Sequence, residues 1–112
     1  VTFKKYKGIR IMAGSRKVVE RKEPEEFVVH HEGYALITLS RSLNVGGAPV
    51  TTLRMREPTV RDNLAHDKAK GTDAEKELAM FCNLCEMSPE QIEALPLRDY
   101  RRLSVAFVGF ID

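Results

Sequence analysis

The sequence predicts an α+β domain: an N-terminal β-hairpin followed by three or four short α-helices packed on one face. Three observations predict it. The stretches "ALITLSRSL" and "VTTLRMRE" alternate apolar and polar residues with the period of two that marks half-buried strands. Between them lies "NVGGAP", whose glycines Gly46 and Gly47 tolerate the positive φ of a tight turn. Beyond Pro58 the apolar period becomes helical, and three successive helix starts carry side chains suited to capping free amides.

In the first strand Ile37, Leu39 and Leu43 lie on one side and Thr38, Ser40 and Ser42 on the other. In the second, Thr51, Leu53 and Met55 share one face, with Thr52, Arg54 and Arg56 opposite. A lone hairpin is marginal in water, so its apolar face requires a helical cover. Pro58 has no amide hydrogen for the ladder and ends the second strand.

Thr59 then caps a first helix, with Asp62 at the third position, running to about Lys70. Lys68 and Lys70 suit the negative end of its dipole, and Gly71 suits a left-handed cap. "TDAE" opens a second helix with Thr72 as cap and Glu75 completing the box. Ala74, Leu78, Phe81, Cys82 and Cys85 recur along it at helical spacing, with Leu84 at the edge of the stripe. "SPEQ" opens a third, with Ser88 as cap, Pro89 in the first turn and Gln91 completing the box; Pro96 keeps it short. A last helix from about Leu97 places Tyr100, Leu103, Ala106, Phe107 and Phe110 on one face and Arg98, Arg101 and Arg102 elsewhere on its surface.

At 112 residues the chain is the size of one folding unit. Residues 1–33 read as an irregular extension with one short strand at Glu26 to His30, and residues 34–112 as the domain, with the hairpin over 35–57 and helices over 59–111. The 18 basic and 16 acidic residues leave a net charge of +2, too little to make nucleic acid the default partner. The longest apolar run, "VAFVGFI", is far too short to span a bilayer, and no apolar core follows the basic start, so no membrane partner and a cytoplasmic location are expected.

Catalytic, cofactor and metal signals are all missing. "CNLC" has thioredoxin-like spacing, but Cys82 and Cys85 fall in the second half of a helix, where the dipole does not activate a thiol. His30, His31 and His66 supply no second ligand pair for zinc, so the cysteines read as small core residues. His66 stands one turn from Asp62, which reads as a solvated surface pair. "VGGAP" lacks the lysine, hydroxyl and following helix of a phosphate loop.

The order of motifs from the second strand onward is more specific. Arg56, Glu57, Pro58 and Thr59 are followed by Asp62 and Leu64, then Lys68, Lys70 and Gly71, then Glu75 and Glu77. Ser88, Pro89, Glu90, Ile92 and Leu95 come next, and Asp99 and Tyr100 close the series. In this order the chain resembles, from about Ala35 to Phe110, the tail assembly chaperones of Mu-like and related tailed phages and prophages. It departs from them in its longer extension and in Met55 and an added arginine around the "REPT" phrase.

The resemblance implies a non-enzymatic protein without cofactors that binds the tape measure protein, keeps that long helical chain soluble and helps recruit tail tube subunits. It further implies many copies per client or a homo-oligomer, and a longer frameshifted form whose added tail binds the tube protein. It places the chain in the host bacterial cytoplasm and outside the mature virion. Met80, Leu84 and Met87 are the candidate client-binding residues, because methionine adapts to varied apolar partners. Two alternatives stand beside this reading: a small phage-encoded nucleic-acid-binding or regulatory protein acting through Arg98, Arg101 and Arg102, and a structural tail subunit.

Overall fold

The computed structural model describes residues 24–112; the reading of residues 1–23 as irregular lies outside the described residues. A 3-10 turn at Pro24–Phe27 leads into β1 (Val28–His31), β2 (Tyr34–Val45) and β3 (Ala48–Arg56), an antiparallel sheet in the order β1-β2-β3. Four helices follow: α1 (Val60–Lys68), α2 (Asp73–Cys85), α3 (Pro89–Glu93) and α4 (Leu97–Ile111). The α+β class and the hairpin that precedes the helices are as the sequence predicts.

The strand expected at Glu26 to His30 begins two residues later, because Glu26 and Phe27 belong to the turn. The Phe27 ring lies over the Arg102 guanidinium, 3.6 Å from it to the ring centroid, which draws the chain towards α4 before pairing begins. β1 then pairs with β2 through a two-residue turn in which Gly33 adopts φ +89. Residues 28–31, which the sequence assigns to the extension, are therefore part of the same sheet. His30 fastens β1 to α4: its Nε2 donates to the Ala106 carbonyl at 2.8 Å, and its ring meets Phe110 edge-on.

The β2–β3 turn has Gly46 at φ +61 and Gly47 at φ +88, the doubly left-handed geometry that matches the twist of a hairpin. Its pairing is interrupted: Thr38 faces Thr52, but the next pair is Leu43 with Val50. β2 carries the extra residues, an enlarged bulge that keeps Ile37, Leu39 and Leu43 all buried. Thr51, expected on the apolar face, lies opposite this bulge and is exposed.

α2, α3 and α4 cover the inner face. Ala35, Ile37, Leu53 and Met55 of the sheet meet Phe81, Leu84, Ile92, Leu95, Leu103 and Ala106 in one core. All three expected capping boxes form, at Thr59–Asp62, Thr72–Glu75 and Ser88–Gln91. α1 stops at Lys68, short of the expected Lys70, because Ala69 is already extended at ψ 153.

Gly71 does not cap α1. It adopts φ +116 just before α2, where a Cβ would stand 2.6 Å from Glu75 Oε1, the oxygen that accepts the Thr72 amide. α2 is closed by Glu86, left-handed at φ 55, and by the Met87 amide donating to the Cys82 carbonyl.

Candidate functional site

The "REPT" phrase builds a polar joint between the sheet and the helices. Arg56, the last residue of β3, donates two parallel hydrogen bonds to Asp62, Nη1 to Oδ2 at 2.7 Å and Nη2 to Oδ1 at 2.8 Å. The Thr59 amide and hydroxyl donate to the same carboxylate at 2.8 and 3.0 Å, and Asn83 of α2 reaches Oδ1 at 3.2 Å. Asp62 thus joins β3, α1 and α2.

Asp62 is the only residue that α1 buries. Its carboxyl is held well below the usual carboxylate range, first by the Arg56 hydrogen bonds and then by the Thr59 donors, against the opposing effect of burial. The Arg56 guanidinium is correspondingly raised, chiefly by the bond to Asp62. The solvated Asp62–His66 pair expected from the sequence is therefore not what forms: Arg56 occupies the carboxylate, and His66 Nδ1 lies 3.5 Å from Asp67 instead. Glu57 contributes its amide to the Gly33 carbonyl at 3.0 Å, and Pro58 follows outside the strand. Leu64 points to solvent, 52% exposed.

The later motif residues serve the core. Ser88 caps α3 with Pro89 in the first turn, Glu90 is exposed, and Ile92 and Leu95 are buried. Asp99 is fully buried at 0% exposure, and its carboxylate accepts the Ser40 amide at 2.9 Å and the Ser40 hydroxyl at 3.0 Å. Tyr100 packs on Phe81 and donates its hydroxyl to Glu77 at 2.7 Å. Burial, and next that bond, raises the Tyr100 phenol.

Three expectations about side chains change. Arg102 is not a surface member of an arginine cluster: it is buried, its Nη1 donates to the Thr38 carbonyl at 2.6 Å, and Asp99 lies 3.7 Å away. Burial lowers its pKa, and a guanidinium so enclosed does not reach a phosphate backbone. Leu84 is 1% exposed and belongs to the core, so it offers no surface to a client. Ala74, placed on the core stripe of α2 by spacing, is exposed.

Cys82 and Cys85 are both buried in the core. Burial pushes the Cys85 thiol up to about 12 and raises Cys82 as well, so neither is a ready nucleophile.

Two clefts flank α2. Met80 lines one of about 170 Å³ between α1 and α2, together with Ala65, Ala69 and Ala79. Met87 lines a larger groove of about 430 Å³ between the hairpin and the end of α2, with Val45 and Val50 opposite. Both methionines are half-buried, each at the wall of an opening.

The helices also expose apolar residues that spacing alone assigns no role: Val60 at 77%, with Leu64 one turn on, and Leu97, Val108 and Ile111 on α4. Among the described residues no helix is long and apolar enough to cross a membrane.

These features accompany a family match. The family described as phage tail assembly chaperone proteins, E, or 41 or 14, matches residues 36–112, from β2 to the last residue of the sequence. The chain belongs to the phage tail assembly chaperones. No curated protein and no solved structure matches it. In this tail assembly chaperone the family match begins within β2, so β1 and the turn before it precede the matched segment.

Proposed function

We propose that this tail assembly chaperone acts without catalysis, binding the tape measure protein, keeping it soluble and helping to recruit tail tube subunits around it. The observation that carries the reading is apolar side chains left exposed on the helices at helical spacing: Val60 and Leu64 on α1, Val108 and Ile111 on α4. Such positions, joined to the family's role in tail assembly, suit transient cover for an amphipathic client. A domain of this size covers only a short part of a long helical chain, so the client takes many copies or an oligomer. A longer frameshifted form supplies the contact with the tube protein. The action takes place in the host bacterial cytoplasm, before the virion is complete.

Co-expression with the tape measure protein encoded beside this chain tests the reading. The client is expected to be soluble and intact with the chaperone and aggregated or degraded without it. Equal yields of soluble client in both cases would refute it.

A further inference from the structure

The cleft between α1 and α2 has a shape that neither helix explains by its own packing. The two helices run antiparallel, with Asp62 facing Asn83 at one end and Ala69 facing Lys76 towards the connecting loop. At the Asp62 end they are tied by the hydrogen bonds of the joint. Further along, the facing residues Ala65, Ala69 and Ala79 are too short to close the gap, and about 170 Å³ stays open beside Met80.

A helix of nine residues that buries a single aspartate draws little stability from its own packing, since isolated helices of this length are marginal in water. α1 is held in place by polar bonds, while its alanine face is left without a partner.

We propose that this cleft is the seat for one large apolar side chain of an amphipathic client helix whose apolar stripe is flanked by carboxylates. The inference rests on the client reading above and locates where the client docks. Size gives the knob: a cavity of about 150 Å³ holds a benzene ring, and this one is comparable at about 170 Å³. Shape gives the helix: both walls are helical, with Ala65 on one, prolonged by Ala69 just past its end, and Ala79 and Met80 on the other, and a third helix fits a groove between two antiparallel ones. The small alanines allow close approach, and the unbranched thioether of Met80 adapts to different knobs along a varied client.

Charge gives the flanks. Lys76 and the His66 ring line the cleft, and its one carboxylate, Asp62, is already bonded by Arg56. The cleft therefore presents cationic and donor groups to an arriving helix, and acidic residues beside the client's stripe complement them.

The test uses the full chain and overlapping helical peptides from the tape measure protein encoded beside it. Peptides with an acid-flanked apolar stripe are expected to shift the methyl resonances of Ala65, Ala69, Ala79 and Met80. Ala79→Leu and Ala65→Leu each fill the cleft at an exposed position, so the fold is expected to persist by circular dichroism. Each is expected to weaken peptide binding by about tenfold or more, the effect of excluding one large side chain. Lys76→Glu is expected to weaken the same peptides and to remove much of the salt dependence. Val29→Ser, at an exposed position on β1 that does not line the cleft, is expected to leave peptide binding unchanged.

If the wild type binds peptides and both leucine variants bind them equally well, the cleft is not the seat and the client reading stands. If the wild type binds no peptide and does not keep the intact client soluble, the client reading fails and the cleft assignment falls with it. If the wild type self-associates and Ala79→Leu dissociates it without weakening peptide binding, the occupant is a second copy and the proposal is overturned.

Discussion

Arg56 and Asp62 form a bidentate ion pair, at 2.7 and 2.8 Å, that ties the end of the sheet to the first turn of α1. The same carboxylate carries the cap of that helix and the contact from Asn83, so one side chain fixes where α1 sits relative to β3 and α2.

Removing Asp62 therefore detaches α1 more than it damages the core. Asp62→Ala is expected to lower unfolding stability by about 2 kcal/mol, within the range for hydrogen bonds to charged groups. The partly exposed Arg56 regains water, which limits the loss. Arg56→Lys keeps the charge but not the planar fork and is expected to lose about 1 kcal/mol. Urea unfolding gives both values, and hydrogen exchange is expected to rise in the α1 amides while those of β2 stay protected.

The pH dependence has opposite signs at its two ends. The folded Asp62 carboxyl lies below its unfolded value, so its contribution is fully present above about pH 3.9 and is lost as pH falls from there through the folded pKa. The Cys85 thiol is raised to about 12, so its contribution is fully present below its unfolded value of about 8.5 and is lost as pH rises through the folded one. Tyr100, also raised, adds a further alkaline loss beginning above about pH 10. Unfolding measured across pH is expected to be flat with respect to these groups between the two limits. Cys85→Ala is expected to reduce the first part of the alkaline decline, to which the raised Cys82 thiol also contributes, and to leave the acid limb unchanged.

Asp99 is expected to be the most sensitive polar position in α4. Asp99→Ala strips the Ser40 amide of its acceptor and leaves Arg102 buried without its neighbouring carboxylate. The expected loss is about 3 kcal/mol, as for breaking other buried charged pairs. Ser40→Ala keeps the amide bond and removes only the hydroxyl contact, for about 1 kcal/mol. Equal losses for the two variants by denaturant titration would show that the amide contact contributes little.

Asp99 and Arg102 also mark where sequence reasoning stopped. The hairpin and the three capping boxes were legible because their partners lie within a few residues and the residue types are selective. Asp99 and Arg102 instead bond Ser40 and Thr38, about sixty residues away, at a bulge in β2 that alternation does not reveal. Their polarity argued for solvent, whereas the ladder groups left at the bulge called for buried partners. The joint was half legible: Thr59 and Asp62 announced a cap, but the burial of Asp62 depends on Arg56 and Asn83 arriving from other elements. Helical spacing likewise placed Leu84 at the edge of a stripe, where the closeness of β3 turns it inward.

The two ends of α2 provide a paired test of backbone conformation. Glu86 holds a left-handed conformation at φ 55 that glycine adopts without strain, so Glu86→Gly is expected to stabilise the domain by about 0.5–1 kcal/mol. Gly71 is the reverse case. At φ +116 an L side chain is strained, and a Cβ there would meet Glu75 Oε1 at 2.6 Å, displacing the carboxylate from the Thr72 amide. Gly71→Ala is expected to destabilise by about 1–2 kcal/mol, combining backbone strain with loss of half a capping box. In a Glu75→Ala background the carboxylate is gone, leaving the backbone strain and a 3.3 Å approach to the Cβ of residue 75, so the same glycine substitution is expected to have a smaller effect. A double-mutant cycle read by thermal unfolding separates the two contributions; an unchanged Gly71→Ala penalty in that background would assign none of the effect to the carboxylate.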